Sequence, residues 1–234
     1  MVLFENEQAI ALEKPAGLSM ATRPSDPGAA ARVIRTLLDA SGDSRDGGDL
    51  RLVHRLDLGT SGVVLLAKGD AAHRVIADAF ATRRVIKTYR ALVWGTPRPA
   101  QGMWEEALGR DREDGRRMEA RTDGKPARTR YALLRPAGPL ADLRLQPETG
   151  RTHQIRVHAA AHGHPIAGDD LYGGGALWTR AEDASARRVL AAVARPLLHA
   201  ERVEVAEAGL RAAAPLPTDY VRVLEGLADP PKGQ

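Results

Sequence analysis

A chain of 234 residues with 43% hydrophobic residues is long enough to bury a substantial core, and the complete lack of cysteine excludes disulfides, thiolate metal sites and a cysteine nucleophile. Lys plus Arg exceed Asp plus Glu by 34 to 30, a net charge of +4 that suits a polyanionic partner, whereas 4% aromatics argue against a surface that grips single strands mainly by stacking. Nowhere do about 18 consecutive apolar residues occur, as a spanning helix needs, and residues 1–21 lack the regions of an export signal, so a cytoplasmic protein without membrane contact is expected.

In chain order, Ala9-Ile10-Ala11-Leu12 is an apolar run ended by Glu13-Lys14-Pro15-Ala16-Gly17, which predicts a strand entering a Pro/Gly turn. Val33, Ile34, Leu37 and Leu38 repeat at helical spacing and predict a helix over 30–40, stopped by Ser41-Gly42-Asp43. The polar segment 43–49 leads into His54-Arg55-Leu56-Asp57-Leu58-Gly59-Thr60-Ser61-Gly62. Gly62-Val63-Val64-Leu65-Leu66-Ala67 suits a buried strand, and Ala72, Val75, Ile76, Ala79 and Phe80 mark one face of a following helix. A strand over 87–94 puts Tyr89, Ala91 and Val93 on one side by the two-residue period. Further strands are expected at 130–134, 142–146 and 197–205, helices at 152–161 and 219–224, and an Ala-rich surface helix within 182–194. Strands separated irregularly by helices predict an α+β fold. With no internal repeat or linker, a single domain over 1–228 is expected, followed by a disordered tail, 229–234.

Asp57 lies between two basic residues and a tight Gly/Ser/Thr turn ahead of an apolar strand. Such a place presents a catalytic carboxylate, and equally suits a turn or capping residue. Tyr89 likewise reads as a strand aromatic of the core or as an aimed hydroxyl. Between 110 and 130, Arg110, Arg112, Arg116, Arg117, Arg121, Lys125, Arg128 and Arg130 stand against Asp111, Glu113, Asp114, Glu119 and Asp123, a stretch that could follow a phosphate backbone or form a solvated surface. His158 and His162 have the spacing of helical metal ligands, but Ala159-Ala160-Ala161 lacks the Glu of a His-Glu-x-x-His protease, so no metal is expected. Ser61 near His54 lacks a Gly-x-Ser-x-Gly elbow, and neither a phosphate-cradling loop nor a dinucleotide fingerprint occurs, so no nucleotide or redox cofactor is expected.

His54-Arg55-Leu56-Asp57 closely resembles the His-Arg-Leu-Asp signature of RNA pseudouridine synthases of the RluA type. Further blocks extend the resemblance in order: Glu13-Lys14-Pro15-Ala16-Gly17-Leu18, Lys87-Thr88-Tyr89, Gly124-Lys125-Pro126-Ala127-Arg128-Thr129, Arg151-Thr152-His153-Gln154-Ile155-Arg156-Val157-His158, Gly168-Asp169 with Tyr172-Gly173, and Leu197-Leu198-His199-Ala200. The resemblance implies isomerisation of uridine in a ribosomal RNA or tRNA stem-loop, by a monomer without cofactor. It also implies a largely antiparallel central sheet flanked by helices, with a basic cleft. Asp57 takes the place of nucleophile or base, Tyr89 of the residue handling a ribose proton, and Arg156 of the cation that keeps the carboxylate ionised. Ile155 matches an apolar pocket position beside Tyr89, and Arg55, Arg151, Lys68 and His54 join the substrate-binding set, Arg55 as candidate for the space a flipped uridine vacates. An accessory N-terminal RNA-binding domain, frequent among relatives, is not expected. Glu13 and Leu58-Gly59 depart from the common pattern, where Asn and a more polar or bulkier pair are frequent. The alternative is a noncatalytic RNA-binding protein or RNA-folding chaperone of the same fold.

Overall fold

Apolar residues that alternate or repeat at helical spacing become strands and helices at the expected places in the computed structural model, which describes residues 1–22 and 25–228. The expected tail lies outside the described residues. In chain order, β1 (Val2–Glu5) and β2 (Ala9–Lys14) precede α1 (Ala29–Ser41), and β3 (Leu50–Leu52) and β4 (Ser61–Lys68) precede α2 (Gly69–Ala81). Next come β5 (Ile86–Trp94), β6 (Gln101–Trp104), β7 (Ala107–Arg110), β8 (Met118–Ala120) and β9 (Lys125–Pro126). The hairpin β10 (Thr129–Ala137) and β11 (Leu140–Pro147) leads to α3 (Gln154–Ala161) and α4 (Ala184–Ala191). β12 (Leu198–Val205), β13 (Leu210–Ala213) and α5 (Thr218–Ala228) complete the α+β order. Strands unforeseen from sequence, such as β1, β3 and β6 to β9, are two to four residues long, too short to display a two-residue period.

The chain divides into two compact units, Met1–Thr88 with Ala200–Pro215, and Tyr89–His199 with Leu216–Gln234. Two of the three chain crossings between the units fall inside β5 and β12, and the third, from Pro215 to Leu216, falls in the loop before α5.

In the first unit, β2 pairs antiparallel with β1 on one side and β4 on the other, β3 pairs with the end of β4, and β13 pairs with β12. Both β2 and β4 are apolar on both faces, so the sheet must be covered twice. Ala9, Ala11, Val63, Leu65 and Ala67 pack on Ala72, Ile76 and Ala79 of α2. The alternate residues Ile10, Leu12, Val64 and Leu66 turn to the opposite face by the two-residue period, where α1 buries Val33, Ile34, Leu37 and Leu38. Gly62 opens this buried stretch of β4 with φ +117, and a Cβ there would lie 2.2 Å from the carbonyl oxygen of Ala200.

In the second unit, β5, β11, β10 and β6 form an antiparallel order, with Tyr89 opposite Leu145 and Arg130 opposite Met103. Leu92, Leu140, Tyr220 and Leu224 share one core cluster, and Ala91, Val93, Leu143, Ile155 and Ala159 another. The wholly buried carboxylate of Asp142 is satisfied by Arg90 Nε at 3.0 Å and by the hydroxyl of Tyr220 at 2.8 Å, which ties α5 to the sheet. Burial and that carboxylate hold the Tyr220 phenol well above its usual pKa. A separate sheet joins β8, β7 and β9.

The substitution Gly62→Ala combines a disfavoured φ with overlap on the Ala200 backbone and should destabilise the protein by about 2–5 kcal/mol. Urea unfolding measures this as a lowered midpoint with an unchanged slope.

Candidate active site

Asp57 begins a turn closed by the amide of Thr60, which donates to the Asp57 carbonyl at 3.1 Å. That turn is fastened from within. Lys14, the last residue of β2, is wholly buried, and its ammonium donates to the carbonyls of Pro15 at 3.0 Å, Leu58 at 3.3 Å and Thr60 at 2.8 Å. An ammonium out of water is stable only where acceptors replace its hydration, so the three carbonyls must converge on it. The amide of Gly17 adds a second bond to the Leu58 carbonyl at 2.8 Å. Upstream, Leu56 is buried and its amide donates to Met20 Sδ at 3.4 Å. The Asp57 side chain is half-buried, whereas Arg55 and Leu58 are exposed. The sequence alone assigns Lys14 no role; its signal is a charged residue closing an apolar strand just before Pro-Ala-Gly.

His54, expected to join the substrate-binding set, is bonded to the neighbouring strand. Its Nε2 accepts the amide of Leu65 at 2.9 Å, just beyond the Leu52–Leu66 register where β3 ends, so the imidazole supplies the acceptor that a longer strand would have carried. The ring stacks on Phe80 with centroids 5.0 Å apart. Burial, reinforced by the charge of Lys87, pushes its pKa down to about 3, and burial pushes Lys87 down to about 8. Lys68 lies at the opposite end of β4 from the Asp57 turn, on the order of 20 Å along the strand, where it pairs with Glu5 at 2.6 Å. Hydrogen bonds from Arg45 and Lys68 hold the Glu5 carboxyl down at about 2. Within this unit His54 and Lys68 thus have the Leu65 amide and the Glu5 carboxylate as partners.

In the second unit, Gln154 fastens the start of α3. Its Oε1 accepts from the Thr149 hydroxyl at 2.6 Å and the Arg151 amide at 3.1 Å, and its Nε2 donates to the Arg128 carbonyl and the Thr129 hydroxyl, each at 2.9 Å. The preceding residue, His153, holds φ +55, and its Nδ1 lies 2.8 Å from the Tyr172 hydroxyl. Arg156, in the first turn of this helix, sets its Nε and one Nη on the two oxygens of the wholly buried Asp169 at 2.7 and 2.8 Å. Its guanidinium also lies over the Tyr172 ring, 4.9 Å from the centroid. Two parallel bonds fix the direction of the guanidinium as well as its place. Asp169 and Tyr172 belong to a sequence block that by itself assigns them no role. Only tertiary contact reveals them, since Asp169 lies thirteen positions beyond Arg156.

Tyr89 and Ile155 are brought into one apolar cluster, Tyr89 half-buried and Ile155 6% exposed. Arg151 donates from Nε to the Pro126 carbonyl at 3.2 Å. The histidine pair at the end of α3 is engaged elsewhere: His158 Nδ1 meets the Thr129 hydroxyl at 2.9 Å, and His162 Nε2, just past the helix, meets Glu106 at 2.7 Å. Among the described residues no group of three or more His, Asp or Glu could hold a metal ion, and no helix is long and apolar enough to cross a membrane.

The arginine-rich segment carries less unbalanced charge than its composition suggests. Arg112, Arg116, Arg117 and Arg121 pair with Asp123, Asp114, Asp111 and Glu119, while Arg128 and Arg130 both reach Glu148. Most of these pairs are exposed, so each contributes little to stability and is open to competition.

A family model described as RNA pseudouridylate synthase matches residues 8–161. An RNA pseudouridine synthase of Chloroflexus aurantiacus is 41% identical over 92% of this chain and 66% of its own length. A ribosomal large subunit pseudouridine synthase D of Xanthomonas campestris is 33% identical over 97% of this chain and 69% of its own. The chain thus spans about two thirds of the length of these relatives. Among solved structures, human RNA Pseudouridylate Synthase Domain Containing 4 superposes with a TM-score of 0.75 at 25% identity, covering 97% of this chain and 92% of that one.

Lys14→Met removes the donor from the Pro15, Leu58 and Thr60 carbonyls and should cost about 1–3 kcal/mol in urea unfolding, with faster hydrogen exchange at the Gly17 and Thr60 amides. His54 takes a proton near pH 6.5 when unfolded and only near 3 when folded, so its contribution is complete above 6.5 and is lost as pH falls toward 3. The urea midpoint should drop across that window, and His54→Gln should be less stable above it while losing less within it.

Proposed function

Since the chain belongs to the RNA pseudouridylate synthase family, we propose that it isomerises uridine to pseudouridine within RNA, with Asp57 as the catalytic carboxylate. The bond from the ribose to ring nitrogen 1 breaks, the uracil turns, and its carbon 5 bonds to the ribose; no other reactant is consumed. The observation that carries this reading is the Asp57 turn, whose main chain is held by the Lys14 ammonium and the Gly17 amide while its carboxylate side chain stays half-buried. A carboxylate that attacks a sugar carbon or a pyrimidine ring must be ionised and must not wander. Lys14 is a positioning residue in this scheme.

Arg156 supplies the positive charge that favours the ionised acid, since its guanidinium stays charged at any working pH. Its fixed direction on Asp169 supports that role. The Tyr89 hydroxyl handles the proton of ribose carbon 2′, with Ile155 packing the flat face of the base; their shared cluster supports a planar ligand there. Arg55 and Arg151 contact RNA phosphates. The RNA is ribosomal or transfer RNA, the former being what the Xanthomonas campestris relative is named for. The uridine reaches the carboxylate by leaving its stack.

Incubation with unmodified ribosomal and tRNA transcripts, without metal or nucleotide, followed by carbodiimide labelling and primer extension, should reveal discrete new pseudouridines. Asp57→Asn should bind RNA normally and lose turnover by at least about three orders of magnitude. Tyr89→Phe should slow turnover by about a hundredfold or more, and Arg156→Lys should lower turnover more than affinity. Tight binding with no modified site would overturn the enzymatic reading in favour of a noncatalytic RNA-binding protein.

A further inference from the structure

Tyr172 is buried, and groups from two separate elements of the second unit converge on it. From the arginine-rich hairpin β7–β8, the Met118 amide donates to its hydroxyl at 2.9 Å, and the guanidinium of the adjacent Arg117 lies over its ring, 5.6 Å from the centroid. From the start of α3, His153 Nδ1 meets the same hydroxyl at 2.8 Å, and Arg156 lies over the ring at 4.9 Å. His153 and Arg156 stand three positions apart, so one face of the helix start meets one side chain. The hydroxyl thus bridges a hairpin amide and an imidazole, while the ring attracts a cation from each element. Tyr172 itself has little room to shift. Its amide donates to the Asp169 carbonyl at 3.3 Å, the Gly174 amide donates to the same carbonyl at 2.8 Å, and a Cβ at Gly174 would lie 1.8 Å from the Ile166 carbonyl oxygen. The turn that carries Tyr172 also carries Asp169, the carboxylate that holds Arg156.

We infer that Tyr172 is a positioning residue through which RNA held by the tip of the β7–β8 hairpin steadies the direction of Arg156; the inference rests on the proposed reaction at Asp57. The tip, residues 111–117, presents Arg112 and Arg116, whose side chains are 77% and 82% exposed in their pairs with Asp123 and Asp114. Phosphates can take over arginines held that loosely. Arg116 is followed directly by Arg117 and Met118, so a tip clamped on phosphates keeps both of their contacts with Tyr172 in place. With the hairpin slack, the phenol limits the orientation of His153 and Arg156 less. A displacement of about 1 Å can slow a reaction roughly a hundredfold, so this link bears on turnover as well as affinity. Packing alone does not call for the hydroxyl. Leu108, Ala127 and Val157 share the apolar cluster between the small sheet and α3, and a Phe at 172 would fill it as well.

The test compares the wild type, Tyr172→Phe, the tip variant Arg112→Ala with Arg116→Ala, and all three changes combined, on a stem-loop spanning the uridine mapped as above. Affinity, single-turnover rate at saturating RNA and hydrogen exchange are measured for each. The tip variant should bind about tenfold more weakly with a flatter salt dependence, and once saturated it should still turn over at least about fivefold more slowly. Tyr172→Phe should slow saturated turnover by about tenfold while changing affinity less than about threefold. In the combined variant the affinity loss of the tip variant should remain, but turnover should stay within about twofold of Tyr172→Phe, because the link is already cut. RNA should slow exchange at the α3 amides of the wild type, and either Tyr172→Phe or the tip variant should abolish that slowing. Normal turnover in Tyr172→Phe, a tip variant that loses affinity alone, a combined variant slowed by the product of the two factors, or α3 exchange indifferent to RNA would each overturn the link. The tip side chains are exposed, so their variant tests the link even where Tyr172→Phe fails to fold. Exchange needs no turnover, so a wild type that carries protection from the tip to α3 yet forms no pseudouridine would sink the enzymatic reading alone.

Discussion

A wholly buried ammonium shared among three main-chain carbonyls is the constraint on which the first unit's functional end depends. Lys14 cannot stay charged in that place without acceptors, and the acceptors available belong to the two turns that meet above β2. Satisfying it therefore shapes both turns at once. Gly62 does the same from the far side of the Asp57 loop, since only a residue without Cβ allows β4 to start so close to the Ala200 carbonyl. A loop between two such fixtures keeps its side chains in register without needing a core of its own. That is how an exposed Leu58 and a half-buried Asp57 can sit on a firm backbone.

The second unit uses the same device with the sign reversed. Asp169 is a buried carboxylate, and its partner is the guanidinium of Arg156, whose bidentate hold and stack on Tyr172 leave it few orientations. Gln154 secures the helix that carries Arg156 by using both ends of its amide on the strand and loop beneath. Buried charge is costly unless paired, and removing either partner leaves the other stranded. Direction is the return for that risk: a surface arginine would sample many rotamers, and this one does not.

Charge on the surface behaves differently. The arginines of 110–130 are largely matched by neighbouring carboxylates in exposed pairs that contribute little to the fold. A polyanion brings many phosphates at once and competes effectively for such arginines, with counterion release as the driving term. The segment is thus neither an unopposed positive patch nor a neutral surface. Its arginines are held in place by bonds weak enough to exchange, as Arg117 beside both Asp111 and the Tyr172 ring illustrates.

The sequence by itself determined the long elements, the family resemblance and the residues proposed for chemistry. Apolar runs such as Val63 to Ala67 and the repeat of Val33, Ile34, Leu37 and Leu38 carry their own period, and Asp57 sits in a motif nine residues long. It also pointed to Tyr89 and Ile155 separately, but not to the cluster they share. What only the tertiary structure decided is which polar groups partner one another across the chain. The Lys14 ammonium meets carbonyls more than forty residues away, His54 gives its ring to the Leu65 amide, and Lys68 turns to Glu5 rather than toward the Asp57 turn. Periodicity is a local property that one segment can display alone. A buried hydrogen bond is a matter of which donor and acceptor the packing strands together, and that becomes defined only once the segments have met.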